Sequence, residues 1–350
     1  MTADLPELRE SARQVLGELG LAADEDQTWP MVLELGWLLV GLPDEYGGIG
    51  QGLVGTCAFH EEIGRRLNAV PYLPAMLAVD AAAHASDPAQ RSHWLERATS
   101  GVRITAPLAS SHVEVSGAKR LSASVSAVLS ADRADHVLLW SDDGGHVVLL
   151  PLQHPGIQRV HRPTWDCTRR LFDVRVTDVA IAPEHVLAEG EQARALSRRL
   201  ATQRDFALAA DAVGGADALL ERTVEYLGTR RQFGRPLALF QSLKHRCADL
   251  KAMVSAAEAL LADALGRAGD RLSTPEAETL GREAKSYSSA VYARVAEEAV
   301  QLHGGIGMTS EHPCHLFLKR ALLDEQLGRG GGRYESAIAK AFLHGAAPRS

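Results

Sequence analysis

Between Phe240 and Leu261 the apolar residues Phe240, Leu243, Cys247, Leu250, Val254, Ala257 and Leu261 recur at spacings of three and four. An α-helix turns about once every 3.6 residues, so this spacing draws one apolar seam down a single helix face. A seam of this length must be covered, and it predicts a helix packed in a bundle. The following sequence supplies partners. A helix opens near Ser273 and Glu276, which stand at capping-box spacing. It carries Leu280, Ala284, Tyr287, Val291 and Val295 and stops at Gly304-Gly305. Pro313 suits the first turn of a further helix and Gly328 its end. Residues 190–350 therefore read as a C-terminal four-helix bundle.

Two other textures precede it. Residues 1–100 read as a helical N-terminal domain, with Met31, Leu33, Leu35, Leu38 and Leu39 at helical spacing and abundant alanine up to Ala98. The loop Gly41 to Gly52 interrupts it, and a helix connector accounts for its glycines better than a phosphate cradle does. Residues 101–189 are β-rich, with runs at Val137–Trp140, Val147–Leu150 and Val174–Ile181. Asp142, Asp143, Gly144 and Gly145 mark a hairpin turn between the first two runs. The expected fold class is α+β and multidomain: helices, a small and mostly antiparallel β-domain, then helices. A chain of 350 residues with 46% hydrophobic content has the length and apolar surface for two or three such cores.

Several function classes lose support. The net charge of −7 does not favour a nucleic-acid or anionic-membrane partner. Six lysines against 31 arginines reflect genomic composition rather than an arginine-rich binding role. Cys57, Cys167, Cys247 and Cys314 form no CxxC pair, so neither zinc nor dithiol chemistry is indicated. The acidic, polar N-terminus does not read as a signal peptide, and no stretch approaches the length of a membrane span. Cytoplasmic residence is the expectation.

Two short segments could carry chemistry. The first is Thr229 to Pro236, TRRQFGRP, followed by Phe240-Gln241. It sets a cationic cluster at a helix end beside an aromatic residue and a Gly-Pro turn. Arginine forks suit phosphate oxygens; arginines that favour the helix macrodipole explain the same residues about as well. The second is Gln301 to Gly307, QLHGGIG. Paired glycines let a ligand approach the backbone closely, although a glycine helix cap accounts for most of the pattern. His303 reads as a structural hydrogen-bonder rather than a base.

Together the two segments resemble the acyl-CoA dehydrogenase family. In that family an RxxFG element, a downstream FQ and a QxxGG element hold the pyrophosphate and adenine end of an FAD bound largely to the neighbouring subunit. The matching residues are Arg230, Phe233, Gly234, Phe240, Gln241 and Gln301 to Gly305. Leu42 to Gly48 and Glu61 to Arg65 also resemble family segments, and the helix–β–helix order is similar to the family architecture. The resemblance implies a β-barrel-like middle domain, FAD as cofactor, and α,β-dehydrogenation of an acyl-CoA thioester.

The chain departs from the family pattern at two places. The stretches that grip the flavin ring correspond here to Ile104–Ser110 and Val128–Ser130. The first keeps Thr105 and Pro107 and lacks the acidic residue and GSD; the second lacks the tryptophan. The family's base is a glutamate at one of two positions. Counting from Gly304-Gly305 puts Gly328 at one, and counting back from Arg230 puts Arg204 at the other. Asp205 is the nearest carboxylate, a weak candidate, and an ion pair with Arg204 is its simpler role; Glu325 stands three positions before Gly328 and would point to another part of the helix. Elements that serve a neighbour's FAD persist while those for the chain's own chemistry are degraded. This pattern, with Asp166 to Arg170 and the shortened C-terminus, resembles non-catalytic subunits of bacterial heteromeric acyl-CoA dehydrogenases.

The expected role is thus a subunit contributing Arg230, Phe233, Gln241, Gln301, Gly304 and Gly305 to FAD binding. The expected partner is a paralogous subunit in a heterotetramer, or a homo-oligomer, with electron-transfer flavoprotein as acceptor. Two alternatives stay open. One is a stand-alone homo-oligomeric flavoenzyme using Asp205 or altered chemistry. The other is a flavin-free scaffold.

Overall fold

The computed structural model describes residues 5–346 apart from positions 110, 118, 142, 329 and 330, and the side chains of 331–333 and 344–346 are also outside that description. Ser110, Asp142 and the first four residues of the acidic N-terminus lie outside the described residues. Among the described residues no helix is long and apolar enough to cross a membrane.

Five helices open the chain: α1 (Leu5–Leu19), α2 (Glu25–Glu34), α3 (Gly52–Arg66), α4 (Tyr72–Ala83) and α5 (Pro88–Thr99). Asp24 caps α2 by accepting from the Gln27 amide at 2.9 Å, while Gln27 accepts in return from the Asp24 amide. The periodic run expected to continue through Leu39 breaks at Gly36, whose φ of 66° is left-handed, and resumes as a short 3₁₀ turn at Trp37–Leu39. The Gly41–Gly52 loop then folds on itself. The amides of Ile49, Gly50 and Gln51 donate to the carbonyls of Leu39, Leu42 and Val40, so it connects helices and leaves those amides engaged.

The middle region holds β1 (Ile104–Thr105), β2 (Ser111–Val115), β3 (Arg120–Leu129), β4 (His136–Trp140), β5 (His146–Pro151), β6 (Ile157–Arg162), β7 (Leu171–Ala180) and β8 (Val186–Glu189). They form two four-stranded sheets, ordered β1-β4-β5-β8 and β2-β3-β7-β6. Only β1–β4 is a parallel pair; the rest are antiparallel. Val113, Leu121, Val125 and Val174 from one sheet and Val137, Leu139, Val148 and Leu150 from the other share a core. The β4–β5 turn is held by Asp143, whose carboxylate accepts from Ser141 Oγ and the Gly145 amide. Strands β4, β5 and β7 are the ones anticipated; β1, β2, β3, β6 and β8 are not. β3 alternates buried Leu121, Ala123 and Val125 with exposed Arg120, Ser122 and Ser124, a period-two pattern written in small residues.

The rest is helical: α6 (Gly190–Thr229), α7 (Gln241–Ala268), α8 (Pro275–His303), α9 (Cys314–Gln326) and α10 (Gly331–Ala346). A two-residue hairpin, β9 (Arg231–Gln232) and β10 (Arg235–Pro236), separates α6 from α7. The cap of α8 is Thr274 rather than Ser273: Thr274 Oγ1 accepts from the Ala277 amide, and Pro275 occupies the first helical position. Ser273 instead offers its carbonyl to Arg198. Gly304 ends α8 with a φ of 66°. On α7, Leu250, Val254, Ala257 and Leu261 are buried, whereas Phe240, Leu243 and Cys247 are half-buried, so one end of the seam stays partly open.

Helix α6 is the spine. From Thr202 to Ala216 every residue on it is buried, because α3, α8 and the β-domain cover different faces. Burial of side chains such as Phe206, Leu208 and Leu219 contributes on the order of 1.5–3 kcal/mol each. The crossing with α3 depends on reciprocal glycines. A Cβ on Gly64 would lie 2.1 Å from the Asp211 carbonyl oxygen, and one on Gly214 would lie 1.9 Å from that of Glu61. Gly214→Ala should therefore lower stability by roughly 1–3 kcal/mol through overpacking. Gly228→Ala, in the same helix with nothing within 4 Å of its Cβ, should be neutral or slightly stabilising. Thermal denaturation of both checks this, and an equal effect of the two substitutions would contradict the close crossing.

Candidate functional site

The two cofactor-type segments meet at one end of the bundle. Helix α6 ends at Thr229, α7 starts at Gln241 and α8 ends at His303. Tyr226, in the last turn of α6, joins them: its carbonyl accepts from the Arg230 amide, and its hydroxyl donates to the His303 carbonyl at 3.2 Å. Its ring stacks on His303 at 4.4 Å, and His312 lies 4.4 Å from His303 on another side. His303 Nδ1 donates to the Ala299 carbonyl at 2.7 Å, and burial lowers its pKa, so the ring is a neutral structural element.

The β9–β10 turn places Phe233 and Gly234 at φ 52° and 78°, both left-handed. Such a turn suits the twist of a hairpin but strains a phenylalanine. The strained backbone holds the Phe233 ring outward, 88% exposed. Arg235 lies over the Phe240 ring at 4.0 Å. Arg230, Gln241, Gln301, Gly304 and Gly305 are all exposed as well. No hydrogen bond or ion pair among the described residues engages the side chains of Arg230, Gln241 or Gln301. Nothing lies within 4 Å of a Cβ built on Gly304 or Gly305. Guanidinium and amide donors and bare backbone are thus grouped at an open surface, the donor set a nucleotide diphosphate can use.

The positions that would serve the chain's own chemistry meet elsewhere, between the β-domain and α6. The Leu108 amide donates to Ala127, Thr105 Oγ1 donates to the Leu129 carbonyl, and the Gly328 amide donates to the Leu108 carbonyl at 2.6 Å. Asp205 is buried. One of its oxygens, Oδ1, accepts from Arg204 Nε at 3.2 Å, Arg204 Nη2 at 3.0 Å and the Tyr334 hydroxyl at 2.7 Å. Arg204 is pulled down by burial, but Asp205 and Tyr334 raise its pKa above the ordinary value.

A second buried polar group was not visible in the sequence. Arg320 of α9 donates to Asp166 at 2.9 Å, to Asp211 of α6 at 3.3 Å and to Thr168. Arg169 bonds Asp211 at 2.9 Å and also Asp324 of α9. Asp166, Thr168, Asp211, Arg320 and Asp324 are buried and Arg169 nearly so; Thr168, Arg169, Asp211 and Arg320 line a cavity of about 160 Å³ with His60, Asn68 and Ser130. Burial would lower the pKa of Arg320, and Asp166, Asp211 and Asp324 outweigh it and keep the guanidinium charged. Three carboxylates face two guanidiniums, so one carboxylate is best left neutral. Asp324 has an unpartnered Oδ2. Burial raises its pKa to about 7 despite Arg169. Burial raises the Asp211 pKa, but Arg169 and Arg320 outweigh it and hold the carboxyl below its ordinary value. The available signal was a single charge inside an apolar helical run, as with Asp211 between Ala210 and Ala212.

Helical, two-sheet and helical parts in this order, with an open polar end on the bundle, define an acyl-CoA dehydrogenase fold. Residues 5–102 match the acyl-CoA dehydrogenase N-terminal domain family, and residues 187–336 match the C-terminal domain family. The chain is 30% identical over 300 residues to acyl-CoA dehydrogenase IpdE2 of Mycolicibacterium smegmatis, covering 85% of this chain and 82% of that protein. The chain belongs to the acyl-CoA dehydrogenase family, a family of oxidoreductases. Among solved structures, the Tcur3481-Tcur3483 steroid ACAD G363A variant is similar at 26% identity and a TM-score of 0.85, with 98% of each chain covered. The ChsE4-ChsE5 complex from Mycobacterium tuberculosis shares the fold at 23% identity and a TM-score of 0.86, covering 100% of this chain and 99% of that one.

The buried cluster has a pH signature. Folding raises the Asp324 pKa from 3.8 to about 7. The folded chain then binds that proton more tightly than the unfolded chain does. Its contribution is complete below the unfolded value and is lost as pH climbs through about 7. Asp324→Asn retains the uncharged state. Between about pH 5 and pH 8 the wild type should lose more thermal stability than Asp324→Asn does. Parallel pH profiles of the two would contradict the assignment.

Proposed function

We propose that this chain is a subunit of an FAD-dependent acyl-CoA dehydrogenase assembly that lends FAD contacts to a paralogous partner subunit and carries no base of its own. The observation behind this reading is the contrast between two regions. The Arg230–Gln301 end of the bundle is open, polar and uncovered, whereas Arg204 and Gly328 stand where a glutamate would be required. The likeness to a two-component steroid ACAD structure supports a heteromeric arrangement.

At the open end, the Arg230 guanidinium would donate to pyrophosphate oxygens, with Gln241 beside it. Gln301 and the backbone of Gly304 and Gly305 would meet the adenosine side, and Phe233 would cover it. When bound, the flavin supplies a hydride acceptor for α,β-dehydrogenation of the acyl-CoA thioester. This chain's residues bind and orient; proton removal falls to the partner. Electron-transfer flavoprotein is the acceptor that this reading implies, and the cytoplasm its setting.

Absorbance spectra of the chain alone, and purified with a paralogous family member, test the reading. Flavin bands are expected in the pair and not in the chain alone. A full flavin complement in the isolated chain would instead indicate a stand-alone flavoenzyme, and none under either condition a scaffold. Within the pair, Arg230→Ala should cost about 1.5–3 kcal/mol of cofactor binding, seen as reduced flavin content at limiting FAD. The fold should be unaffected, because the Arg230 side chain is exposed and makes no hydrogen bond or ion pair among the described residues. Unchanged flavin content would remove Arg230 from the site.

A further inference from the structure

Gly328 has a φ of 78°, and a Cβ built on it would lie 2.0 Å from the Tyr334 hydroxyl oxygen. The ring of Tyr334, carried by α10, is fully buried. Its hydroxyl donates to Asp205 Oδ1 at 2.7 Å, and Lys285 of α8 lies 5.0 Å from its ring centre. The phenol therefore fills the space into which any side chain at 328 would project. It also adds a third donor to an oxygen that already serves Arg204.

The same place is closed from the β-domain side. A planar ring held between two faces needs about 7 Å between the atoms on either side, two carbon contact distances. The Leu108 carbonyl and the Gly328 amide are in direct hydrogen bond at 2.6 Å. Leu108 lies in the stretch that resembles the family's flavin-ring segment, and Gly328 at one of the base positions. The gap between Leu108 and Gly328 is therefore too narrow for a flavin ring, and the open cavity lined by Leu108, Leu129 and Ser130 lies beside it.

We infer that Tyr334 is a built-in plug: α10 delivers its phenol into the cleft beside Gly328, ties down Asp205 and Arg204, and leaves no room at that junction for a flavin ring or a catalytic side chain. This rests on the family reading for where ring and base converge. It goes beyond the loss of a glutamate, because the vacated space is occupied by a specific replacement rather than left open to substrate or to the partner's groups. It also makes Asp205 a positioning residue for α10.

Two measurements on the full chain without flavin test the plug. The wild type is treated with tetranitromethane, and nitrated tyrosines are mapped by mass spectrometry. Tyr334 should react at least roughly tenfold more slowly than Tyr287, which is 40% exposed. Nitration of Tyr334 at the Tyr287 rate would overturn the proposal, and this measurement needs no variant. In Tyr334→Ala, millimolar phenol should raise the melting temperature, because it refills a cavity of matching shape. The wild type and Tyr334→Phe should not respond. A phenol response no larger in Tyr334→Ala than in the wild type would also overturn it. Neither readout depends on FAD, so the plug can fail while the partner-subunit reading stands, and the reverse.

Discussion

Two arginines and three aspartates, all buried except the nearly buried Arg169, link the structural parts of this molecule. Arg320 reaches from α9 to Asp166 at the edge of the β-domain and to Asp211 in the middle of α6. Arg169 closes the circuit through Asp211 and Asp324. Burying charge is costly unless each group is paired, so removing one member strands the others in a medium that cannot solvate them. The cluster therefore acts as a directional joint. Apolar packing alone would let the β-domain slide over α6, whereas paired guanidiniums accept few geometries.

With that joint set, the two halves of the candidate site take opposite characters. The hairpin after α6 and the glycine turn after α8 fall at the same end of the bundle because α6 and α8 run alongside each other, with Tyr226 bonded across them. There the side chains of Arg230, Gln241 and Gln301 are exposed and have no mate among the described residues. At the inner junction the reverse holds: Leu108 bonds Gly328, and Tyr334 bonds Asp205. One junction is thus open and polar and the other closed by contacts within the chain. Beside the open end, Phe240, Leu243 and Cys247 are half-buried.

Glycine does distinct work at three points. At Gly64 and Gly214 it allows two helix backbones to approach to a distance that no side chain permits. At Gly304 a left-handed φ turns α8 out of its path and leaves bare backbone at the open end. At Gly328 a left-handed φ combines with the Tyr334 hydroxyl to exclude any larger residue. The helix-ending roles of Gly304 and Gly328 were readable in advance, since a glycine after a helix is a local signal, whereas the close crossing and the contact with Tyr334 were not.

That difference separates what the sequence determined by itself from what tertiary structure decided. Periodicity is local, so the seam from Leu250 to Leu261, the strands around Val137 and Val147, and the stop at Gly304 could be read directly. Motif spacing along the chain likewise carried the family resemblance. Strand β3 escaped because its alternation uses serine and alanine, whose small contrast hides a period of two. Gly36 broke an apolar run that looked continuous. The meeting of Asp166, Asp211 and Arg320, and of Asp205, Gly328 and Tyr334, joins residues scores of positions apart. No local spacing encodes such contacts. They exist because α6 is covered on every side, and a charge or hydroxyl forced into that interior must find whichever partner the other elements bring to it.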